Sequence, residues 1–243
     1  MRTQSKGKCK YCGREYTKSY MLRHLANCQE RKSSVNAKLN NTQGMYYELD
    51  IFGKRDKEYW LIIEVRADAT LKDLDSFLRD IWLECCGHLS AFDINGTSYD
   101  AVPSEDYYWG KPAKSMNYKL NSVLEKGMTV TYEYDFGSTT DLVINVRDYI
   151  VSSWRKEKVT ILSRNNPPEI LCDICHEKIA AVFCPEFEYG AFLCDDCRKK
   201  HDLEEDMLLP VCNSPRVGVC GYEGSRIYPD QFVPDKVTLE DKK

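Results

Sequence analysis

Between Cys28 and Cys172 the chain has only two cysteines, Cys85 and Cys86, although its 243 residues hold twelve. Long apolar runs are lacking as well. No stretch approaches the ~18 residues that a membrane span requires, and the opening MRTQSKGKCK lacks the apolar core of a signal peptide. A protein of the cytoplasm, with no membrane partner, is therefore expected. There is no internal repeat and no low-complexity tract outside one polar linker. No Gly-rich phosphate loop and no His-Arg-Asp loop accompany Asp135-Phe136-Gly137. That triplet accordingly reads as a strand end closed by glycine, not as a kinase metal-binding element.

The residues that are present describe an ordinary globular chain, with 42% apolar and 30% charged side chains. Their distribution is uneven. Residues 1–40 carry 10 Lys/Arg against 2 acids, a net of +8, while the remainder carries 24 against 36, a net of −12. A basic head on an acidic body suggests contact with a polyanion, or simply a solvated tail. Ten of the cysteines fall within Cys9–Cys28 or Cys172–Cys220, several as C-x-x-C pairs. In a reducing compartment such pairs point to metal ligation in preference to disulfides.

Cys9-x-x-Cys12, eleven further residues, then His24-x-x-x-Cys28 supply two donors from a knuckle and two from one helix face. Zinc takes four such ligands as a tetrahedron, and i, i+4 side chains on a helix can reach one ion. The segment resembles a Cys-Cys-His-Cys finger, with Tyr16 and Leu22 placed to form its small core. Lys8, Lys10, Arg14, Lys18 and Arg23 could neutralise phosphates, and Tyr11 and Tyr20 could stack on unpaired bases. The same finger could equally present a surface to a protein.

Residues 1–32 thus read as a basic finger and 33–44 as a polar linker. Residues 45–165 read as an α+β domain, and 166–243 as a cysteine-rich module with a tail. Within the central domain, YYELDIF and EYWLIIEV read as hairpin arms. Thr70 and Asp73 open an amphipathic helix whose apolar positions run from Leu71 to Cys85 before Gly87. Asn95-Gly96 marks a second hairpin. A short helix at 120–126 and strands at 128–136, 142–150 and 159–162 follow. The expected fold is a mostly antiparallel sheet with one long and one short helix, flanked by two small zinc modules. Trp60, Trp82, Cys85 and Cys86 read as core, and His88 as a cap or core histidine. Tyr107, Tyr108 and Trp109 read as a loop cluster that either meets a partner or packs locally.

Cys172-x-x-Cys175 and Cys194-x-x-Cys197, eighteen residues apart, have the two-knuckle spacing of structural zinc sites. Four thiolates leave no open position, which favours structure over catalysis. Cys184, His201, Cys212 and Cys220 then make a second complete donor set by count. They hold another ion or are apolar packing. Two or three Zn2+ ions are expected in all.

HLSAFDINGTSYD, followed by TYEYDFGSTTDLVINV, resembles the Ri-plasmid Orf-three-like family, also described as insertion-element passenger proteins. The resemblance rests on His88-Leu89 with Phe92 and Ile94, the Tyr99 strand, and Tyr134-Asp135-Phe136-Gly137. SRNNPPEILCDIC and LPVCNSPRVGVCGYEG resemble the cysteine-bearing tail of part of that family. The resemblance implies an α+β fold and association with mobile elements, but no reaction. Where many members carry an acid, a Trp and a His after the glycine, this chain has Ser138, Thr140 and Leu142, so no site is expected there. The expected function is a non-enzymatic zinc protein that engages DNA or RNA through its finger. A protein-interaction adaptor is the alternative. A metal-dependent nuclease or recombinase accessory built on Asp135, Asp141 and Asp148 is the third reading, which their spacing does not favour.

Overall fold

The computed structural model describes residues 4–36, 42–103, 112–201, 203 and 205–235. It forms two compact units. One comprises Met1–Phe77, Leu89–Asn166 and Phe232–Lys243, and the other Leu78–His88 and Pro167–Gln231.

In the first unit, a short hairpin of β1 (Lys6–Lys8) and β2 (Glu15–Thr17) leads into α1 (Lys18–Asn27) and α2 (Gln29–Asn36). Seven further antiparallel strands and one parallel edge strand make the main sheet. They are β3 (Gln43–Gly53), β4 (Trp60–Arg66), β5 (Ser90–Ile94), β6 (Thr97–Asp100), β7 (Lys114–Ser115), β8 (Thr129–Tyr134), β9 (Thr140–Ser153) and β10 (Val159–Arg164). Their order is β10-β4-β3-β9-β8-β5-β6-β7, with only β6 and β7 parallel. The expected α+β class is therefore the observed one. Asn95 and Gly96 turn β5 into β6 with φ of 52° and 75°, both in the left-handed region that a tight hairpin needs.

β4 is buried on both faces, which is why its opening WLII reads as a continuous apolar run and not as an alternating one. Trp60 and Ile62 point to the same side as Leu162 and share a core with Cys9, Tyr11, Cys12, Met21, Leu25 and Cys28. The N-terminal segment is thus a cover for the sheet, not a module on a string. Backbone contacts fix it there. Lys10 N donates to Leu162 O at 2.8 Å, and Gly7 bridges to Asn165 so closely that a Cβ at Gly7 would sit 2.1 Å from Arg164 O.

Residues 29–36, which straddle the boundary read above between finger and linker, form α2, anchored by one buried side chain. The Arg31 guanidinium donates to Glu48 Oε2 at 2.7 Å, to Glu64 Oε1 at 2.8 Å and to Leu25 O at 3.1 Å. Arg155 completes the group, 2.5 Å from Glu64 Oε2. Two carboxylates are thereby balanced by two guanidinium groups where water is scarce.

On α3 (Leu71–Leu78), Thr70 and Asp73 form a reciprocal cap. Thr70 N donates to Asp73 Oδ2 at 2.8 Å, and Asp73 N to Thr70 Oγ1 at 3.2 Å. The α-helix ends earlier than its apolar spacing predicts. It passes into a π-helical turn, Arg79–Leu83, closed by Glu84 N donating to Arg79 O at 2.9 Å. Cys85 and Cys86 therefore lie beyond the helix. Cys86 is exposed and Cys85 half-buried, which corrects their reading as buried packing.

In the second unit, β11 (Val182–Cys184), β12 (Ala191–Leu193) and β13 (Leu209–Pro210) form a small antiparallel sheet beside α4 (Asp195–Arg198). Its core consists of Cys172, Cys184, Ala191, Leu193, Cys194 and Cys197. Four of these six buried residues are cysteines, so thiols make up much of this small cluster.

Replacing Arg31 by Met should destabilise the protein by about 3 kcal/mol in urea unfolding, because Glu48 would lose its guanidinium partner and Glu64 would keep only Arg155. A loss below about 1 kcal/mol would show that water screens this pair.

Candidate metal centres and the basic N-terminal face

The first donor group is assembled by a knuckle and a helix. Cys9 and Cys12 flank the turn between β1 and β2, held by Cys9 N to Arg14 O and Gly13 N to Cys9 O, each 2.9 Å, with Gly13 at φ 74°. His24 lies on the last turn of α1, and Cys28 caps that helix. The four donor atoms lie within 4.8 Å of one another, and Cys12 Sγ is 3.2 Å from His24 Nε2. A tetrahedral ion with sulfur at 2.3 Å and nitrogen near 2.0 Å has S–N edges of about 3.5 Å, so the group fits one ion. Burial pushes the Cys9 thiol up to about 12, against the pull of the Cys12 and Tyr11 amides. A divalent cation offsets that penalty by neutralising the thiolates. Burial also lowers His24, favouring the neutral imidazole that a metal requires.

The second group is all sulfur. Cys172, Cys175, Cys194 and Cys197 also gather within 4.8 Å, and Cys175 Sγ is 3.9 Å from Cys194 Sγ. The S–S edge of a tetrahedral thiolate site is about 3.8 Å. His176, at φ 55°, lets the knuckle turn so that its N–H reaches Cys172 O at 2.9 Å. Burial raises the Cys172 thiol, but amides of Cys175, Cys194 and Ile174 outweigh it and bring the thiol down to about 6. Backbone dipoles thus favour thiolate at this position before any ion arrives.

The residues left over in the sequence do not make the set their number suggested. Cys184 is buried in the small core, Cys212 is buried elsewhere, and the exposed His201 stands with its ring 6.0 Å from that of Phe187. Cys220 instead joins Cys85, Cys86 and His88, again within 4.8 Å. The overlooked signal was the run Cys85-Cys86-Gly87-His88, with three donors in four residues.

The five basic side chains expected to face nucleic acid divide into two classes. Lys18 is committed internally: its ammonium lies 3.3 Å from the buried Asp50 and 3.5 Å from the Phe52 ring centroid. Burial lowers its pKa, while Asp50 pulls the other way. Lys10 pairs with Asp235 at 2.7 Å, and Lys8 is half-buried. Arg14 and Arg23 are exposed, Arg14 bonded to Tyr16 and Arg23 stacked 4.3 Å over the Tyr20 ring. Tyr20 is 60% exposed, whereas Tyr11, the other expected stacking residue, is buried in the core.

Asp135, Asp141 and Asp148 are not brought together as a metal-binding group among the described residues. Asp148 pairs with Lys126 at 2.8 Å, Asp141 lies near Lys54 and Arg55, and Asp135 caps the turn at Gly137. Tyr107, Tyr108 and Trp109 lie outside the described residues. No described helix is long and apolar enough to cross a membrane.

Among solved structures, a protein of unknown function from Methanosarcina mazei Go1 is similar at 20% identity, with a TM-score of 0.42 over 50% of this chain and 70% of that one. No curated protein matches. Residues 48–176 match the family described as plasmid pRiA4b ORF-3-like protein, a span that includes β4, the turn closed by Gly137 and the first knuckle of the all-sulfur group. With more than half its length matched, the chain belongs to the plasmid pRiA4b ORF-3-like protein family.

Proposed function

We propose that the chain is a non-enzymatic zinc protein of the cytoplasm, associated with mobile elements, that holds DNA or RNA against its N-terminal face. The observation that carries this reading is the exposed Arg14, Arg23 and Tyr20 on a segment whose own donors, Cys9, Cys12, His24 and Cys28, are drawn to one point. Zinc suits both buried groups, because thiolate and imidazole in a tetrahedron match its preferences and redox chemistry is not called for. The two arginines supply phosphate contacts, and the tyrosine ring supplies a face on which an unpaired base can stack.

A second reading, a protein-interaction adaptor, draws support from Lys10 and Lys18. Acids of the same unit already neutralise them, which leaves a smaller cationic footprint than the +8 head suggests. It is distinguished by a protein complex that survives nuclease treatment.

Zinc-loaded full-length protein titrated with duplex and single-stranded nucleic acid should show log affinity falling linearly with log salt. The double variant Arg14→Ala, Arg23→Ala should reduce that slope by about 2. Absence of binding at low salt would overturn the nucleic-acid reading. Separately, His24→Ala should remove one equivalent of zinc by elemental analysis and lower the thermal midpoint, since the ion holds the cover of β4 in place. Unchanged metal content in this variant would contradict the first site.

A further inference from the structure

The donors Cys85, Cys86, His88 and Cys220 come from segments more than 130 residues apart, yet each is positioned by its own local structure. After the π-helical turn the chain is extended at Glu84 and reverses at Gly87, whose φ is 71°. Glu84 organises the reversal by accepting from Gly87 N at 2.6 Å and from Arg79 at 2.9 Å, while the same Arg79 donates to His88 O at 2.8 Å. On the other segment, turns closed by Val217 N to Ser214 O and Val219 N to Arg216 O, 3.1 and 3.0 Å, deliver Cys220. Ser214 Oγ donates to Trp82 O at 2.5 Å, and Ser225 Oγ to Asp80 O, pinning the two segments together.

Cys220 has a φ of 54°, a conformation unfavourable for a non-glycine residue that persists where surrounding structure imposes it. Its sulfur is 3.8 Å from Cys86 Sγ and 3.5 Å from His88 Nε2. Those separations match the edges of a tetrahedral site with three sulfurs and one nitrogen, about 3.8 Å and about 3.5 Å. The buried Arg216 lies 3.5 Å from Cys85 Sγ and adds positive charge beside what would be three thiolates on one ion. Unlike the other two groups, this one is open to solvent, with Cys86 and Cys220 both exposed.

We propose that Cys85, Cys86, His88 and Cys220 form a third, surface-accessible metal centre that takes a thiophilic divalent cation, zinc in the first place, and exchanges it with solvent before the two buried centres do. A chelator can approach an ion whose ligands are exposed and displace them one at a time, whereas the buried centres must first open. The claim is independent of nucleic-acid binding.

Native mass spectrometry and elemental analysis of full-length protein purified under reducing conditions should give three zinc equivalents. Cys86→Ser and Cys220→Ser should each give two. A colorimetric chelator should draw one equivalent from the wild type in a fast phase that both exposed-site variants lack. Cobalt loading provides a check that does not depend on variant folding. The rapidly released equivalent should carry thiolate-to-cobalt charge-transfer absorption and tetrahedral d–d bands. Two equivalents in the wild type, unchanged in Cys220→Ser, would overturn the proposal, as would a Cys86–Cys220 disulfide in the reduced, metal-replete protein. Failure of the buried sites would appear instead as loss of the slow phase.

Discussion

A strand that is buried on both faces must be covered twice, and the first unit is organised around that requirement at β4. Leu61, Ile63 and Val65 are buried on one side, and Trp60 and Ile62 on the other lie beneath Met21 and Leu25 of the N-terminal segment. Each such side chain withdrawn from water contributes about 1.5–3 kcal/mol, so the cover is worth more to the sheet than any single hydrogen bond. The cover itself is too small to hold its shape by packing. Its buried sulfurs and His24 converge on one point, and Arg31 ties the following helix to Glu48 and Glu64. A convergent donor group, a buried ion-pair group and apolar contact therefore support one another here.

The three cysteine groups differ in how their protein surroundings treat charge. At Cys9 burial dominates and disfavours thiolate without an ion, whereas at Cys172 backbone amides more than offset burial. In both, the sulfurs are also part of a small apolar cluster, which without an ion would hold like-charged or protonated thiols where packing is needed. The group at Cys220 is placed by turns and a buried arginine instead of by a core, which is why it can remain open to solvent.

Much of this was legible in the sequence. The Asn95-Gly96 hairpin, the Thr70/Asp73 cap and the two C-x-x-C spacings are local signals, and each is realised locally. What was illegible depended on contacts distant in sequence. The apolar positions from Leu71 to Cys85 continue a helical period, but the π-helical turn at 79–83 takes Cys85 and Cys86 off the helix. The count of donors assigned Cys220 to its sequence neighbours, although its partners lie 132 and more residues away. Lys18 looked like a phosphate ligand because no sequence pattern reveals that Asp50, 32 positions on, is buried opposite it. Arg31, at the end of the segment read as the finger, gave no sign of its buried acids for the same reason.

If the N-terminal segment is a metal-held lid on the sheet and not a freely jointed finger, removing the metal must loosen the strands it covers. Hydrogen exchange of β4 and β10, followed by mass spectrometry before and after stoichiometric metal removal, tests it directly. Amides of 60–66 and 159–164 should then lose protection together with those of 9–28. Retained protection in β4 and β10, with exchange gained only in 9–28, would contradict it.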